Sequence, residues 1–201
     1  MVLSPRSAKK REQILQAAGQ LFTQHGYATS MDNIAELAQV SKQTVYAHFK
    51  TKDELFETCV MDKCETTKAK VGLLEDTREI ESVLFDFALG FQNMLLTDEA
   101  LNIHRTAVSQ LESHPDLAKA YLKAGPERTT QMLLDYLQHQ QKQGILVAEL
   151  SMEHAAVQFM LMIHGKAVYW HHLGTDIKQS VEEQRAYLKS SVELFLNGYK
   201  A

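Results

Sequence analysis

The stretch Thr29–Lys52, TSMDNIAELAQVSKQTVYAHFKTK, decides how the chain is read. Ser30 is a good N-cap, and Met31, Ile34, Ala35 and Ala38 then recur at helical spacing. The pattern breaks at Gln39-Val40, Ser41 offers a second N-cap, and Thr44, Val45, Tyr46 and Phe49 carry a helix of about two turns. Two helices across a turn of three or four residues make a helix-turn-helix, whose second helix can enter a DNA major groove. An ordinary pair of core helices has the same periodicity, so the surroundings must separate the two.

Upstream, Arg6, Lys9, Lys10 and Arg11 form a basic entry to a helix whose apolar stripe is Ile14, Ala17, Ala18, Leu21 and Phe22. Gly26 is a candidate helix terminator in a left-handed conformation. The basic entry is either a solvated tail or an arm that reaches the phosphate backbone or the minor groove. Three helices would pack through Ile14, Leu21, Phe22, Ile34, Ala38, Val45 and Phe49, with Val40 plugging the turn. That packing leaves Lys42, Gln43, Thr44 and Tyr46 outside at the start of the third helix. Lys can donate to guanine acceptors, Gln can pair with adenine and a Thr methyl can touch thymine. The N-terminus of the second helix offers backbone N–H groups to a phosphate, with the Thr29 and Ser30 hydroxyls beside it.

Charge supports the same division. Residues 1–52 carry seven Lys/Arg against three Asp/Glu, a balance of +4, while the whole chain stands at −4. A basic head on an acidic body suits polyanion binding by the head alone. The 201 residues are 45% hydrophobic and 23% charged, the composition of an ordinary globular protein. There is no apolar run long enough for a membrane span and no signal segment, so no membrane association and a cytoplasmic location are expected. Cys59 and Cys64, five residues apart with no Cys/His array nearby, read as packing residues.

The run GYATSMDNIAELAQVSKQTVYAHFKTKDELF, within about residues 10–56, resembles the DNA-binding domain of the tetracycline-repressor (TetR) family of bacterial regulators. The resemblance rests on Gly26-Tyr27, Thr29, Ile34-Ala35, Val40-Ser41, Tyr46, His48-Phe49, Lys52 and Leu55-Phe56. It implies that Thr29, Tyr46, His48 and Lys52 hold phosphates while Lys42, Gln43 and Thr44, behind the Ser41 cap, face base edges. His48 reads equally well as a half-buried packing partner, and Lys52 as a surface charge. Two residues depart from the family pattern: Gln39 stands where Gly is common in the turn, and Gln43 where a small residue is common. Gln39 must take the turn at some backbone cost.

From Asp53 onward the pattern is helical with short breaks, and no strand run is visible, so the expected fold is all-α. Helices are expected from Leu55 toward Lys70, over Ile80–Leu96, Glu99–Leu111, Asp116–Lys123 and Pro126–Gln143, with Gly125-Pro126 as a stop and start. The division expected is a three-helix DNA-binding domain, 1–52, and a helical regulatory and dimerisation domain, 53–201. Ser151 caps a helix from Met152 to about Leu173 that is apolar on more than one side, and Ser180-x-x-Glu183 is a capping box for the last helix, to about residue 197. A helix apolar around most of its girth needs partners on both sides, so these two helices either meet a second copy in a two-fold interface or form the buried centre of a monomer. The TetR resemblance implies the homodimer.

His164, His171 and His172 invite a metal reading, but no carboxylate or cysteine stands at ligand spacing, and no HExxH, GxSxG, P-loop or GxGxxG motif is present. Neither an enzyme nor a cofactor or metal is expected. Phe87, Phe91, Met94, Met132, Tyr136 and Met160 are soft and aromatic side chains for an apolar ligand cavity, with His104 or Arg105 as polar anchor; each can equally be core filling. The segment from His114 through the GPER turn to Gly144-Ile145-Leu146 resembles the C-terminal domain of an AefR-like class within the same family. The expected function is a ligand-responsive, homodimeric repressor of nearby genes that binds a near-palindromic double-stranded operator and a small apolar or amphipathic effector. The alternative is an activator or a global regulator without an inducer.

Overall fold

The structure, a computed structural model, describes residues 4–66, 72–175 and 178–201, without the side chains of residues 63–66. Among these residues it is helical throughout: α1 Pro5–His25, α2 Met31–Leu37, α3 Lys42–His48, α4 Lys52–Thr66, α5 Ile80–Leu95, α6 Asp98–Ser109, α7 Pro115–Leu122, α8 Arg128–Lys142, α9 Met152–His172 and α10 Val181–Tyr199. The all-α expectation holds. A single isolated bridge, Leu146 to Lys200, is the only β-type pairing among the described residues. Among the described residues no helix is long and apolar enough to cross a membrane. The expected run of α4 on to Lys70 and the Cys64 side chain lie outside the described residues.

The serine signals do what their chemistry predicts. The Ser30, Ser41 and Ser151 hydroxyls accept from the N–H groups of Asn33, Thr44 and His154 at 3.1, 3.2 and 3.2 Å. At α10 the capping box is complete, with Glu183 N–H donating to the Ser180 hydroxyl and Ser180 N–H to the Glu183 carboxylate. A further cap at Ser4, followed by Pro5 at the first helical position, starts α1 early, so the basic entry Arg6–Arg11 is helical. Gly125-Pro126 does not separate two helices; a π-helical turn, Lys123–Glu127, carries α7 into α8.

The chain forms two compact units. The first contains α1 to α4 with α6 and α7, so packing extends the head beyond residue 52. Its core joins Ile14, Phe22, Ile34, Val45 and Phe49 to Leu55, Phe56 and Val60 of α4, Ile103 of α6 and Leu117 of α7. Leu21 and Val40 pack at its edge. Cys59 is buried there, which pushes its thiol up to about 12.

The second unit contains α5, α8, α9 and α10. Its core includes Val83, Leu84, Phe91, Leu133, Tyr136, Phe159, Ile163, Leu188, Val192 and Phe195. Here α9 is not one regular helix: Gly165 sits at φ 61°, ψ 179°, a conformation open to glycine and not to other residues.

Candidate nucleic-acid interface

The interface candidate is built on α2, its turn and α3. After Ala38, Gln39 takes φ 54°, the only positive φ outside glycine among the described residues. Its N–H reaches Glu36 O at 3.0 Å, and Val40 N–H closes the turn on Ala35 O at 3.0 Å. The expected cost at Gln39 is thus real: a Cβ in the left-handed region costs about 1–2 kcal/mol.

Val45 and Phe49 anchor α3 in the core, and the opposite face stands clear. Ser41, Lys42, Gln43 and Tyr46 are exposed, while Thr44 and His48 are half-buried. Ser30, at the α2 cap, is exposed as well. Thr44 shares a hydroxyl–hydroxyl bond of 2.8 Å with Ser41. Lys42 forms an ion pair with Asp32 of α2 at 2.7 Å, and that carboxylate raises the ammonium's pKa. Sequence reasoning missed this role of Asp32, because ten residues separate it from Lys42 and only the turn geometry brings them together.

Beside α3, the start of α1 supplies Arg6, Ser7 and Lys10 to a groove of about 380 Å³ whose other wall includes Ser41, Gln43 and His48. Two cations thus flank the side of α3 that carries the Gln43 amide. A neighbouring cation, Arg11, is turned inward over the Phe49 ring at 5.1 Å. The Ser4-Pro5 cap signal was readable and would have put Arg6 and Lys10 on a helix, though not beside α3.

Two residues differ from the expected set. Thr29 is 2% exposed and its hydroxyl donates to Leu21 O at 3.3 Å, so it ties the entry of α2 to α1 and presents no hydroxyl to a phosphate. Lys52 also turns inward: its ammonium donates to Tyr27 O at 2.7 Å and Thr29 O at 3.2 Å and lies 3.9 Å from the centre of the Tyr27 ring. Burial lowers its pKa. Both residues hold the helix-turn-helix in place, and the outward polar set is Ser30, Ser41, Lys42, Gln43, Thr44, Tyr46 and His48.

The candidate ligand residues divide between the two units. In the second, Phe87 and Phe91 stack at 6.1 Å, Phe87 lies 6.4 Å from Phe159, and Tyr136 and Met160 are buried in the same core, with Met94 at its edge. Burial pushes the Tyr136 hydroxyl up to about 12. Met132 is half-buried on α8. The expected anchors stand on α6 in the first unit: Arg105 is exposed, and the His104 ring packs edge-on to Tyr121 at 5.9 Å. Neither anchor belongs to the core that holds the aromatic set.

Comparison with known proteins agrees with this geometry. Residues 14–59 match the family model described as bacterial regulatory proteins, tetR family, and residues 82–201 match that of the AefR-like transcriptional repressor C-terminal domain. The uncharacterized helix-turn-helix transcriptional regulator YvkB of Bacillus subtilis is 30% identical over 98% of this chain and 99% of its own. A crystal structure assigned to the TetR family, from Mesorhizobium loti, superposes with a TM-score of 0.83 at 28% identity, covering 98% of this chain and 100% of that one. The flavonoid-responsive regulator FrrA superposes with a TM-score of 0.78 at 27% identity, over 96% and 98% of the two chains. The head that carries α3 and the helical body that follows it are both accounted for in these matches, and the chain belongs to the TetR family of DNA-binding transcriptional regulators.

Proposed function

We propose that this chain is a ligand-responsive, homodimeric repressor of the bacterial cytoplasm that binds a near-palindromic operator. Residues 1–52 contribute the DNA contacts and residues 53–201 the dimer and the response. The observation that carries the reading is the α3 face: Gln43 and Tyr46 are exposed on a helix fixed from behind by Val45 and Phe49. Each subunit lays α3 in a major groove, with Gln43 and Lys42 at base edges and Tyr46, His48, Ser30 and the Ser41 cap at phosphates. Arg6 and Lys10 add sequence-independent attraction, so affinity falls steeply with salt.

Dimerisation is supported by apolar side chains that α9 and α10 leave in water, among them Val157, Leu161 and Leu194, and by the family, whose members are typically dimeric. An effector is supported by the aromatic core around Phe87, Phe91 and Tyr136 and by FrrA, whose name states a flavonoid response. Flat, amphipathic aromatic molecules are therefore the first effectors to test. A ligand releases the operator only if it binds the free and DNA-bound arrangements unequally.

The test has two parts. Genomic fragments that the purified protein retains are sequenced, and the recovered operator is placed before a reporter gene. Repression by the protein and relief by an effector support the proposal. Activation of the reporter favours the activator, and repression that no effector relieves favours the regulator without an inducer.

A further inference from the structure

The break in α9 sets the orientation of a chain of carboxamides. At Gly165 the backbone leaves helical geometry, so nearby carbonyls need donors from other elements. Gln92 of α5, fully buried, supplies two of them: its amide nitrogen donates to Ile163 O at 2.9 Å and to His164 O at 3.2 Å. A carbonyl can only accept, so the Gln92 nitrogen is fixed on that side and its oxygen is left for α10. There the Gln184 nitrogen donates to the Gln92 oxygen at 3.0 Å and to the Asn93 side-chain oxygen at 2.9 Å. Both N–H bonds of Gln184 are thereby spent, and Asn93 is held by its oxygen.

Two groups are left over. The Gln184 oxygen and the Asn93 nitrogen have no hydrogen-bond partner among the described residues. Gln184 is only 8% exposed, so its oxygen is not freely served by bulk water. Both residues line one cavity of about 250 Å³ at the ends of α5 and α9 and the start of α10, together with Leu96, His171 and Val181. The Nε2 atom of His171 is buried and has no hydrogen-bond partner either. A polar atom left unpaired in a folded wall carries an uncompensated desolvation cost, and three such atoms belong to residues around this one cavity.

We propose that this cavity binds a small neutral molecule through a carboxamide or lactam edge. The Gln184 oxygen accepts the ligand N–H and the Asn93 nitrogen donates to the ligand C=O, the paired pattern that an amide complements. Leu96 and Val181 contact its apolar body. Charge argues against an anion. The start of α10 has closed its own capping box through Ser180 and Glu183, and Glu182 stands beside them, so that part of the wall carries two carboxylates. Among the described residues no Lys or Arg lines the cavity. None of Phe87, Phe91 or Tyr136 lines it, so it is a second small-molecule site, independent of the effector reading above. A ligand held there also pins Gln184, and through Gln92 the two carbonyls at the break.

The probe is para-fluorobenzamide, with para-fluorobenzoate and para-fluoroacetophenone as controls that lack the N–H. Fluorine NMR titrates each against the full chain. The inference predicts saturable binding of the amide, with both controls weaker by about tenfold or more. Asn93→Asp keeps an oxygen for the Gln184 N–H and replaces the donor with a second acceptor, and it weakens amide binding by about tenfold or more. Asn93→Ser, which removes the carboxamide without adding a charge, is expected to give a loss of the same size. Asn93 is exposed, and circular dichroism with a thermal melt establishes that each variant is folded. No saturable binding of the amide, equal binding of the ketone, or amide affinity that survives both substitutions overturns the inference. Each of those results leaves the DNA-binding and effector readings standing, because none of their residues is changed.

Discussion

The Lys52 ammonium lies 3.9 Å from the centre of the Tyr27 ring and donates to the carbonyl of the same residue at 2.7 Å. One side chain thereby joins the first turn of α4 to the short turn between α1 and α2, and the Tyr27 hydroxyl donates back to Asp53. The residue that the family resemblance assigns to phosphate binding, and that reads equally well as a surface charge, here ties two parts of the head together. Lys52→Ala is accordingly predicted to lower the stability of the protein by about 1.5–3 kcal/mol, the range for hydrogen bonds to a charged group. Urea denaturation followed by circular dichroism measures it. An unchanged midpoint with weaker operator binding would return Lys52 to the DNA-contacting set.

The turn between α2 and α3 carries stored backbone cost at Gln39, whose φ is 54°. Gln39→Gly is predicted to stabilise the chain by roughly 0.5–1 kcal/mol, less than the full left-handed penalty because glycine also loosens the unfolded chain. Gln39→Val is predicted to destabilise it by about 1–2 kcal/mol, since a β-branched residue fits that region worst. The pair of thermal melts tests the sign in both directions.

These two positions show where sequence reading succeeds and where it ends. Gln39, the four serine caps at residues 30, 41, 151 and 180, and the inward set Ile14, Phe22, Ile34, Val45 and Phe49 were legible, because each follows from local backbone chemistry or from helical period. Lys52 and Thr29 were not. Where a long flexible side chain or a small hydroxyl points depends on carbonyls left free by another element, here those of Tyr27, Thr29 and Leu21. The Asp32–Lys42 pair was hidden for the same reason. The apolar residues on more than one side of α9 were legible too: Val157, Leu161, Tyr169 and Leu173 stand exposed on the helix that buries Phe159, Ile163 and Val168, whereas the break at Gly165 gave no sign in the periodicity. Nor did the periodicity of α6 and α7 say that they pack with the head, since an apolar stripe does not name its partner.

On the outer face of α3 the residues should separate by role. Gln43→Ala is predicted to relax discrimination at one base pair per half-site by about 1–3 kcal/mol, with little change on random DNA. Asp32→Ala, which removes the partner of Lys42, should tighten binding to any duplex several-fold and steepen its salt dependence, because a carboxylate leaves the DNA face and the charge of Lys42 is no longer offset. Its effect on stability should be small, as the pair is well exposed. Fluorescence anisotropy against operator and scrambled duplexes over a salt series distinguishes the two.

Cys59 should be chemically silent in the folded head. Burial pushes its thiol up to about 12, so its thiolate is scarce at neutral pH, and its side chain is buried. Iodoacetamide at pH 8 is expected to leave it unmodified until denaturant is added, as read by peptide mass spectrometry. Rapid labelling of Cys59 in the native protein would show that α4 opens away from α1.

The central claim is that α3 reads DNA. Its most direct measurement is the binding of genomic fragments by the wild-type protein and by Tyr46→Ala in parallel, at one fixed salt concentration, with both proteins checked for equal thermal stability. The account predicts that the wild type enriches a near-palindromic site and that Tyr46→Ala, changed only on the exposed face of α3, loses that enrichment while its melt stays within about 0.5 kcal/mol of the wild type. Equal enrichment of the same site by both proteins, or no enriched site for either, would contradict it.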